Sequence, residues 1–380
     1  MKILFAITSL DKGGAETHLF NLVEGLVKKK RMDVSIFYTK RDSEFFKNKL
    51  HNLNVKTFKK KKFTNYDLVN FFLDFLYLRK LILQLNPDII HVHLPYMELL
   101  TFLVLKTLNK KYKFIITKHV DSSLLNGSID QKESFIGSLL GNLIYSRAQK
   151  IIAISSAVKE YVIRNYSHIK INSIVVIRYG IEYKNFSKSS KSLNKFKKKY
   201  NLCGYYVLGI AARLVKQKSI DFLIKGFNEY FKNFNLKSKL LIAGTGPLKK
   251  DLEALVSSLN LRKSVKFLGF QKDINTFYHS VDVFCLTSNY EGLGLVILEA
   301  LACKKPIIAS NCSAIPEIIE HNKNGLLVDH LNIGQLVKAI QLLKDPILRK
   351  KISFNSNKLL KQKFSLPLMI KKTVMIYNSN

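Results

Sequence analysis

Apolar residues in this chain fall into short unbroken runs, separated by longer stretches where they recur every three or four positions. Ile3 to Thr8, Val34 to Tyr38, Ile89 to Val92, Phe114 to Thr117 and Ile151 to Ile154 are runs of the first kind. They are apolar at nearly every position rather than at alternate ones, the pattern of strands covered on both faces. Glu16 to Val27 and Leu68 to Leu85 have helical spacing, and Asn86-Pro87 ends the second of these. The alternation restarts at Tyr206. Strands are expected at Tyr206 to Ile210, Lys239 to Ala243, Val265 to Leu268, Val281 to Leu286, Pro306 to Ala309 and Gly325 to Val328, with helices at Ile220 to Phe231 and Leu248 to Leu259. Strands alternating with helices predict an α/β fold on parallel sheets, and the restart predicts two doubly wound halves. Between them residues 184–200, KNFSKSSKSLNKFKKKY, are rich in Ser and Lys and read as a linker. Ligands of such sheets lie beyond the carboxyl ends of the strands, so the cleft between two of them is the expected site.

Composition narrows the picture. With 380 residues, 47% of them hydrophobic, the chain has material for two cores. This excludes a disordered chain, a collagen and a small disulfide scaffold. Cys203, Cys285, Cys303 and Cys312 form no CxxC pair and have no His at zinc spacing, so a reduced, cytoplasmic protein without a metal site is expected. No segment reaches the roughly 18–20 apolar residues of a membrane span. The opening MKILFAITSL runs into Asp11-Lys12-Gly13-Gly14 rather than a small-residue cleavage site, which fits a buried first strand and not a signal peptide. The formal net charge is +35, spread as 29 basic against 14 acidic side chains in residues 1–180 and 33 against 13 in the rest. A compositional drift toward Lys would produce this, and so would a surface selected for anionic partners.

Four stretches carry chemistry. Gly13-Gly14-Ala15-Glu16 follows the first strand and opens a helix, where free N–H groups suit a phosphate; a plain strand-to-helix turn would also use these glycines. Arg213 and Lys218 stand past the first strand of the second half and could clamp a diphosphate, or be two solvated charges. Ala243-Gly244-Thr245-Gly246-Pro247 repeats the strand, glycine turn and helix start, with or without a ligand. The sharpest is Glu291-Gly292-Leu293-Gly294-Leu295 with Glu299 eight residues after Glu291. Glu299 lies in an apolar run, where a carboxylate is costly unless it is partnered; the two hydroxyls of a ribose would serve. The N–H groups of Leu293 to Leu295 would face the phosphates of the same nucleotide.

EGLGLVILEALACKKPIIAS resembles the E-x7-E block of the family 4 retaining glycosyltransferases. GGAE, TKH, SSAVKE, ARLVKQKS and AGTGPL precede it in the family's order, so the resemblance covers nearly the whole chain and is looser between about residues 40 and 110. It implies the GT-B fold: two Rossmann-like doubly wound parallel-sheet domains facing across a cleft. Residues 1–183 would be the acceptor-binding domain, joined by a C-terminal helix at about 366–380, and 201–365 the donor-binding domain. Arg213 and Lys218 would hold the donor diphosphate, Glu299 the ribose, and Glu291 the sugar near its C3 hydroxyl. Gly244, Gly246, Gly292, Leu293, Gly294 and Leu295 would line the donor, and Phe270, in Phe267-Leu268-Gly269-Phe270, would border the base. Gly14 would reach the diphosphate from the other domain. Gly13, Glu16 and His119 would lie on the acceptor side, with His119 touching donor sugar or acceptor.

The resemblance implies no cofactor beyond a UDP- or GDP-linked sugar as co-substrate, and a glycan or lipid-linked acceptor in surface polysaccharide or lipopolysaccharide synthesis. The acceptor would attack on the face the nucleotide leaves, with the β-phosphate taking its proton. No DxD-like motif is present, so metal independence is expected. Two departures stand out: Ser219 where the family has Gly, and Tyr179-Gly180-Ile181-Glu182 without the family's Asn. An anionic membrane surface is a further candidate partner. Lys59-Lys60-Lys61-Lys62-Phe63 precedes the Leu68 to Leu85 helix, which holds Phe71, Phe72, Phe75 and Tyr77. A nucleic-acid-binding protein would need stacking aromatics in a basic patch and no Glu299. The ordered motifs weigh against that class, against a sugar-binding module and against an epimerase of the same fold.

Overall fold

A computed structural model of the chain describes residues 1–11, 13–30, 32–60, 64, 66–119, 134–187, 189–234, 237–354 and 356–379. The chain divides into two compact units, Met1–Gly180 with Leu366–Asn380, and Ile181–Ser365. The first contains β1 (Lys2–Ile7), α1 (Gly14–Lys30), β2 (Asp33–Tyr38), α2 (Glu44–Asn52), β3 (Lys56–Lys59), α3 (Asp67–Leu85), β4 (Ile89–His93), α4 (Pro95–Lys106), β5 (Lys113–Lys118), α5 (Phe135–Arg147), β6 (Lys150–Ala153), α6 (Ser156–Asn165) and β7 (Ile174–Val176). The second contains α7 (Ser190–Lys199), β8 (Tyr206–Ala211), α8 (Ile220–Asn233), β9 (Ser238–Ala243), α9 (Lys249–Ser258), β10 (Val265–Gly269), α10 (Ile274–Ser280), β11 (Val283–Leu286), α11 (Leu295–Ala302), β12 (Ile307–Ser310), β13 (Leu326–Val328), α12 (Ile333–Leu342), α13 (Pro346–Phe354) and α14 (Ser356–Lys363). The last helix, α15 (Leu366–Asn378), belongs to the first unit.

Both sheets are parallel. Their strand orders are β3-β2-β1-β4-β5-β6-β7 and β10-β9-β8-β11-β12-β13. The order reverses between β1 and β4 in one and between β8 and β11 in the other, so each unit has one switch point. Strands β4, β8 and β9 are buried at every residue, which explains their unbroken apolar sequence: helices cover both faces. One core gathers Phe5, Ile36 and Ile115 with Leu22, Met369 and Ile370. The other gathers Leu208, Ile242 and Val283 with Phe227 and Leu336. Helix α15 is fixed to the first sheet by polar bonds as well: the Tyr377 hydroxyl lies 2.6 Å from His91 Nδ1, and Lys113 Nζ donates to the Tyr377 carbonyl at 3.1 Å.

Two expectations change. Residues 190–199, read as part of a linker, form helix α7 of the second unit. Leu193 is buried there, and Phe196 packs on Tyr200 with ring centroids 4.7 Å apart. Two apolar residues in the helix and Tyr200 just past it, at helical spacing, suffice among Lys, Ser and Asn, because the helix packs on α10. The Lys59–Lys62 cluster also differs. Lys59 pairs with Asp42 at 3.1 Å and Lys60 with Asp74 at 3.9 Å, while Lys61, Lys62 and Phe63 lie outside the described residues. Of the aromatics on α3, Tyr77 stacks on Phe37 and Phe71 meets Tyr96 edge-on; Phe72 is exposed. Among the described residues no helix is long and apolar enough to cross a membrane.

Candidate active site

In the second unit the loops after β8 and β11 meet at the switch point, and hydrogen bonds join them. Asn289 N donates to the Gln217 carbonyl at 2.8 Å, and Gln217 Nε2 to the Tyr290 carbonyl at 3.1 Å. Arg213 lies two residues past β8 and is exposed. A short 3-10 turn, Lys216–Lys218, brings Lys218 Nζ to 2.5 Å from Glu291 Oε1, and Ser288 Oγ donates to the same oxygen at 2.7 Å. Sequence reasoning assigned Lys218 and Glu291 to different parts of a donor and missed this pair, because only the sheet brings residues 73 apart together. An ammonium has three donors, so Lys218 can stay on Glu291 and still offer protons to an anion. Ser219, where the family has Gly, adopts the left-handed conformation at φ 41°. Its hydroxyl bonds Asn289 Oδ1, and Thr287 Oγ1 donates to its carbonyl at 3.1 Å.

The turn after β9 packs directly on the Arg213 segment. A Cβ at Gly244 (φ +134°) would overlap the Ala212 carbonyl oxygen, and one at Gly246 would overlap Leu214 backbone. Both glycines are thus required by backbone against backbone, whatever binds beyond them. Leu214 N donates to the Thr245 carbonyl at 3.0 Å and Leu248 N to the Leu214 carbonyl at 3.1 Å. Phe270, just past β10 on the same sheet, is exposed.

Gly292, Leu293 and Gly294 turn the chain into α11, with Gly294 left-handed at φ 89°. The first N–H groups of a helix have no intrahelical acceptor and carry the positive end of its dipole. One turn in, the Glu299 carboxylate accepts a 2.6 Å hydrogen bond from the Tyr278 hydroxyl on α10. Burial pushes Glu299 up to about 7, against the pull of the Tyr278 bond. Tyr278 is a second residue that sequence reasoning missed: no spacing links α10 to α11. Its only signal was that a buried carboxylate at 299 needs a donor.

In the first unit the loops after β1 and β4 flank the other switch point. The space a Cβ would take at Gly14 is open, whereas at Gly13 it would meet the Glu16 carboxylate. Glu16 turns back to accept from Ser9 Oγ at 2.7 Å. His119, at the end of β5, is buried, and both ring nitrogens are engaged: Nε2 lies 2.7 Å from His93 Nδ1, and Nδ1 2.6 Å from the Tyr179 hydroxyl. Any contact of His119 with a sugar would require one of these bonds to open. His18 stacks on Tyr179 with centroids 4.5 Å apart, and His91 sits beside His93 at 4.6 Å. Burial drives all four imidazoles down, His18 and His91 to about 3, so the cluster is neutral. Mutual repulsion adds to the depression at His91, His93 and His119. Among the described residues no group of three or more His, Cys, Asp or Glu is placed to hold a metal ion.

Comparison with known proteins gives the same order of parts. Residues 12–184 match the family model described as Glycosyltransferase Family 4, and 190–359 match Glycosyl transferases group 1. The chain is 28% identical to an uncharacterized glycosyltransferase of Methanocaldococcus jannaschii, over 96% of this chain and 94% of that one. It is 28% identical to the capsular polysaccharide biosynthesis glycosyltransferase CapM of Staphylococcus aureus, over 64% of this chain and 65% of that one. Its fold superimposes on HepE of Anabaena, solved in complex with UDP and glucose, with a TM-score of 0.85 at 20% identity over 100% of both chains. Two family models lie side by side on one GT-B chain in the order of its motifs, and so the chain belongs to the family 4 retaining glycosyltransferases.

Proposed function

We propose that the chain moves a sugar from a uridine diphosphate donor to a glycan or lipid-linked acceptor in building a surface polysaccharide or lipopolysaccharide. The observation that carries this is the convergence of Arg213, the Lys218–Glu291 pair and the N-terminus of α11 around one switch point, with Glu299 one turn behind. Arg213 and Lys218 supply positive charge where a diphosphate accumulates negative charge on leaving. The α11 N–H groups add fixed dipoles that need no reorganisation. Glu299 accepts from the ribose hydroxyls while Tyr278 holds its other side. Glu291, held by Ser288 and Lys218, is oriented to accept from a sugar hydroxyl.

With two cationic side chains on the phosphates, no divalent ion is needed, and turnover should survive chelation. The acceptor oxygen bonds to the anomeric carbon on the face where the carbon–oxygen bond to the β-phosphate breaks; the acceptor proton passes to that phosphate oxygen. HepE has been solved with UDP-glucose, and CapM is named for capsular polysaccharide biosynthesis, which supports the donor and product classes. The deciding experiment is a panel of UDP- and GDP-sugars read by thermal stabilisation and by release of nucleotide. Stabilisation by one UDP-sugar above the rest is expected. Preference for a GDP-sugar would overturn the uridine assignment, and no stabilisation by any of them would overturn the site.

A further inference from the structure

Helices α3, α4 and α5 form one layer on the first sheet: α3 packs on α4, and α4 on α5. α4 is covered by its neighbours, with Met97, Leu100, Val104 and Leu105 buried. The two flanking helices are apolar on their outer faces as well as their inner ones, where Leu78, Leu81 and Ile82 of α3 and Ile144 and Tyr145 of α5 are buried. α3 turns Val69, Phe72, Leu76 and Leu83 to solvent. These residues recur at helical spacing along one stripe, broken once by Lys80. α5 turns out Phe135, Ile136, Leu139 and Leu143, again on one stripe. Phe135 and Leu68 are each 86% exposed. Scattered apolar residues need no explanation, but two parallel stripes on one layer form a patch.

The charge around the patch is ordered by topology. Each of the three helices leads into the next strand of a parallel sheet, so all run in one direction and end at the same edge. At that edge stand Lys106 at the end of α4, Lys110 and Lys111 just beyond it, and Arg147 at the end of α5, with Arg79 and Lys80 more than a turn short of the end of α3. Their partners are neutral where the structure gives them: Arg79 Nε donates to Thr107 Oγ1 at 3.3 Å, Lys110 Nζ to Asn86 Oδ1 at 2.5 Å, and Lys106 lies over the Phe102 ring at 5.0 Å. Of the layer's acids among the described residues, Asp88 alone stands at that edge. Glu98 and Asp74 are buried, Asp74 accepting from the Tyr96 hydroxyl at 2.6 Å, and Asp67 is at the far end of α3. Asp88, after α3, accepts from the Lys2 backbone N–H at 2.7 Å.

We infer that the outer face of α3 and α5 docks on an anionic lipid leaflet, the apolar stripes entering the interface and the basic edge meeting the headgroups. A second copy of the chain is a poorer occupant, because each copy carries a formal charge of +35 and the two would repel. An anionic leaflet attracts that charge, at about 1 kcal/mol per Lys or Arg near the surface. The inference stands on this face alone and does not depend on which sugar or acceptor the enzyme uses.

The test uses the full chain and two kinds of vesicle, phosphatidylcholine alone and phosphatidylcholine with phosphatidylglycerol. Co-sedimentation with the anionic vesicles is expected at low salt, with weaker pelleting as salt rises. F72S/L139S should lower partitioning by about tenfold or more, through loss of buried apolar area. K80S/K106S/K110S should retain weak pelleting but lose the preference for phosphatidylglycerol. These side chains are on the surface, so each variant should melt with the parent; if one does not fold, the other decides. Equal pelleting with both vesicles, absence of pelleting at low salt, or parental behaviour of both variants would overturn the inference. So would a concentration-dependent dimer in lipid-free buffer that F72S/L139S abolishes, since the face would then belong to a second copy.

Discussion

Glu299 and Tyr278 form a small acid–base unit whose behaviour can be worked out from its parts. Burial raises the carboxyl to about 7, so near neutral pH it is divided between acid and carboxylate. In the proposed ribose role the carboxylate is a stronger acceptor for a hydroxyl than the neutral acid, so nucleotide affinity should fall as pH drops through 7, read by calorimetric titration. E299Q should weaken nucleotide binding by about 1–3 kcal/mol and flatten this dependence. Y278F removes a bond that favours the charged form, so the midpoint should rise by about one pH unit. An unchanged profile in Y278F would mean that the phenol packs on Glu299 without tuning it. R213A and K218A should each lower turnover by about 10²-fold or more while the chain stays folded, and near-parental rates in either would remove that residue from the phosphate clamp. K218A has a further consequence: it leaves Glu291 with Ser288 alone, so it should also perturb sugar selection, which R213A should not.

Among the elements, the turn at Ser219 carries the clearest cost. A side chain in the left-handed region is strained by roughly 1–2 kcal/mol per residue, and here the strain is offset by bonds to Asn289 and Thr287. S219A keeps the strain and loses the hydroxyl bond, so it should melt lower. S219G loses the bond and the strain together and should melt near the parent. The reverse order would show that the hydroxyl matters less than loop entropy. The family's Gly at this position has a reason that a single sequence could not display, since φ is not written in residue type. Eleven of the thirteen described strands were legible because burial leaves an unbroken apolar run; β3, mostly exposed as KTFK, and the three-residue β7 were not. Helix α4 was not, because PYMELLTFLVLK is apolar on all sides and has no period to read. α7 was hidden for the opposite reason, two apolar residues among Lys and Ser. Of the candidate site, the glycine loop and the spacing of Glu291 and Glu299 around it were legible. Tyr278 and His93 were not, since each finds its partner only through strand order.

Across the whole molecule, acid should act on the two units in opposite directions. His18, His91, His93 and His119 are held below their ordinary value of 6.5 in the first unit. Their unfolded forms bind protons first, so that unit loses stability as pH falls below 6.5, and continues to lose it toward about 3 for His18 and His91. Glu299 in the second unit is held above its ordinary 4.5. There the folded form binds its proton first, so this group adds stability as pH falls from about 7 toward 4.5. Calorimetry between pH 7 and 5 should show the first unit's transition moving down relative to the second's, and H18F should reduce the separation. Transitions that shift together would show that the imidazole cluster does not govern acid stability.

The return of α15 to the first sheet has a consequence for synthesis. Residues 181–365 form one unbroken insertion, whereas the first unit is written in two pieces on either side of it. His91 leaves the ribosome long before Tyr377, 286 residues later. For that whole interval the α15 side of the first sheet lacks its cover, with Ile370, Met369 and the Tyr377 phenol not yet made. The second unit is therefore the first that can be completed, and a fragment of residues 181–365 should express as a folded body where one of residues 1–180 should not. A nascent chain of residues 1–365 stalled on an appended linker long enough to clear the ribosomal exit tunnel should accordingly protect the second unit from protease and leave the first open, until α15 is added and closes it.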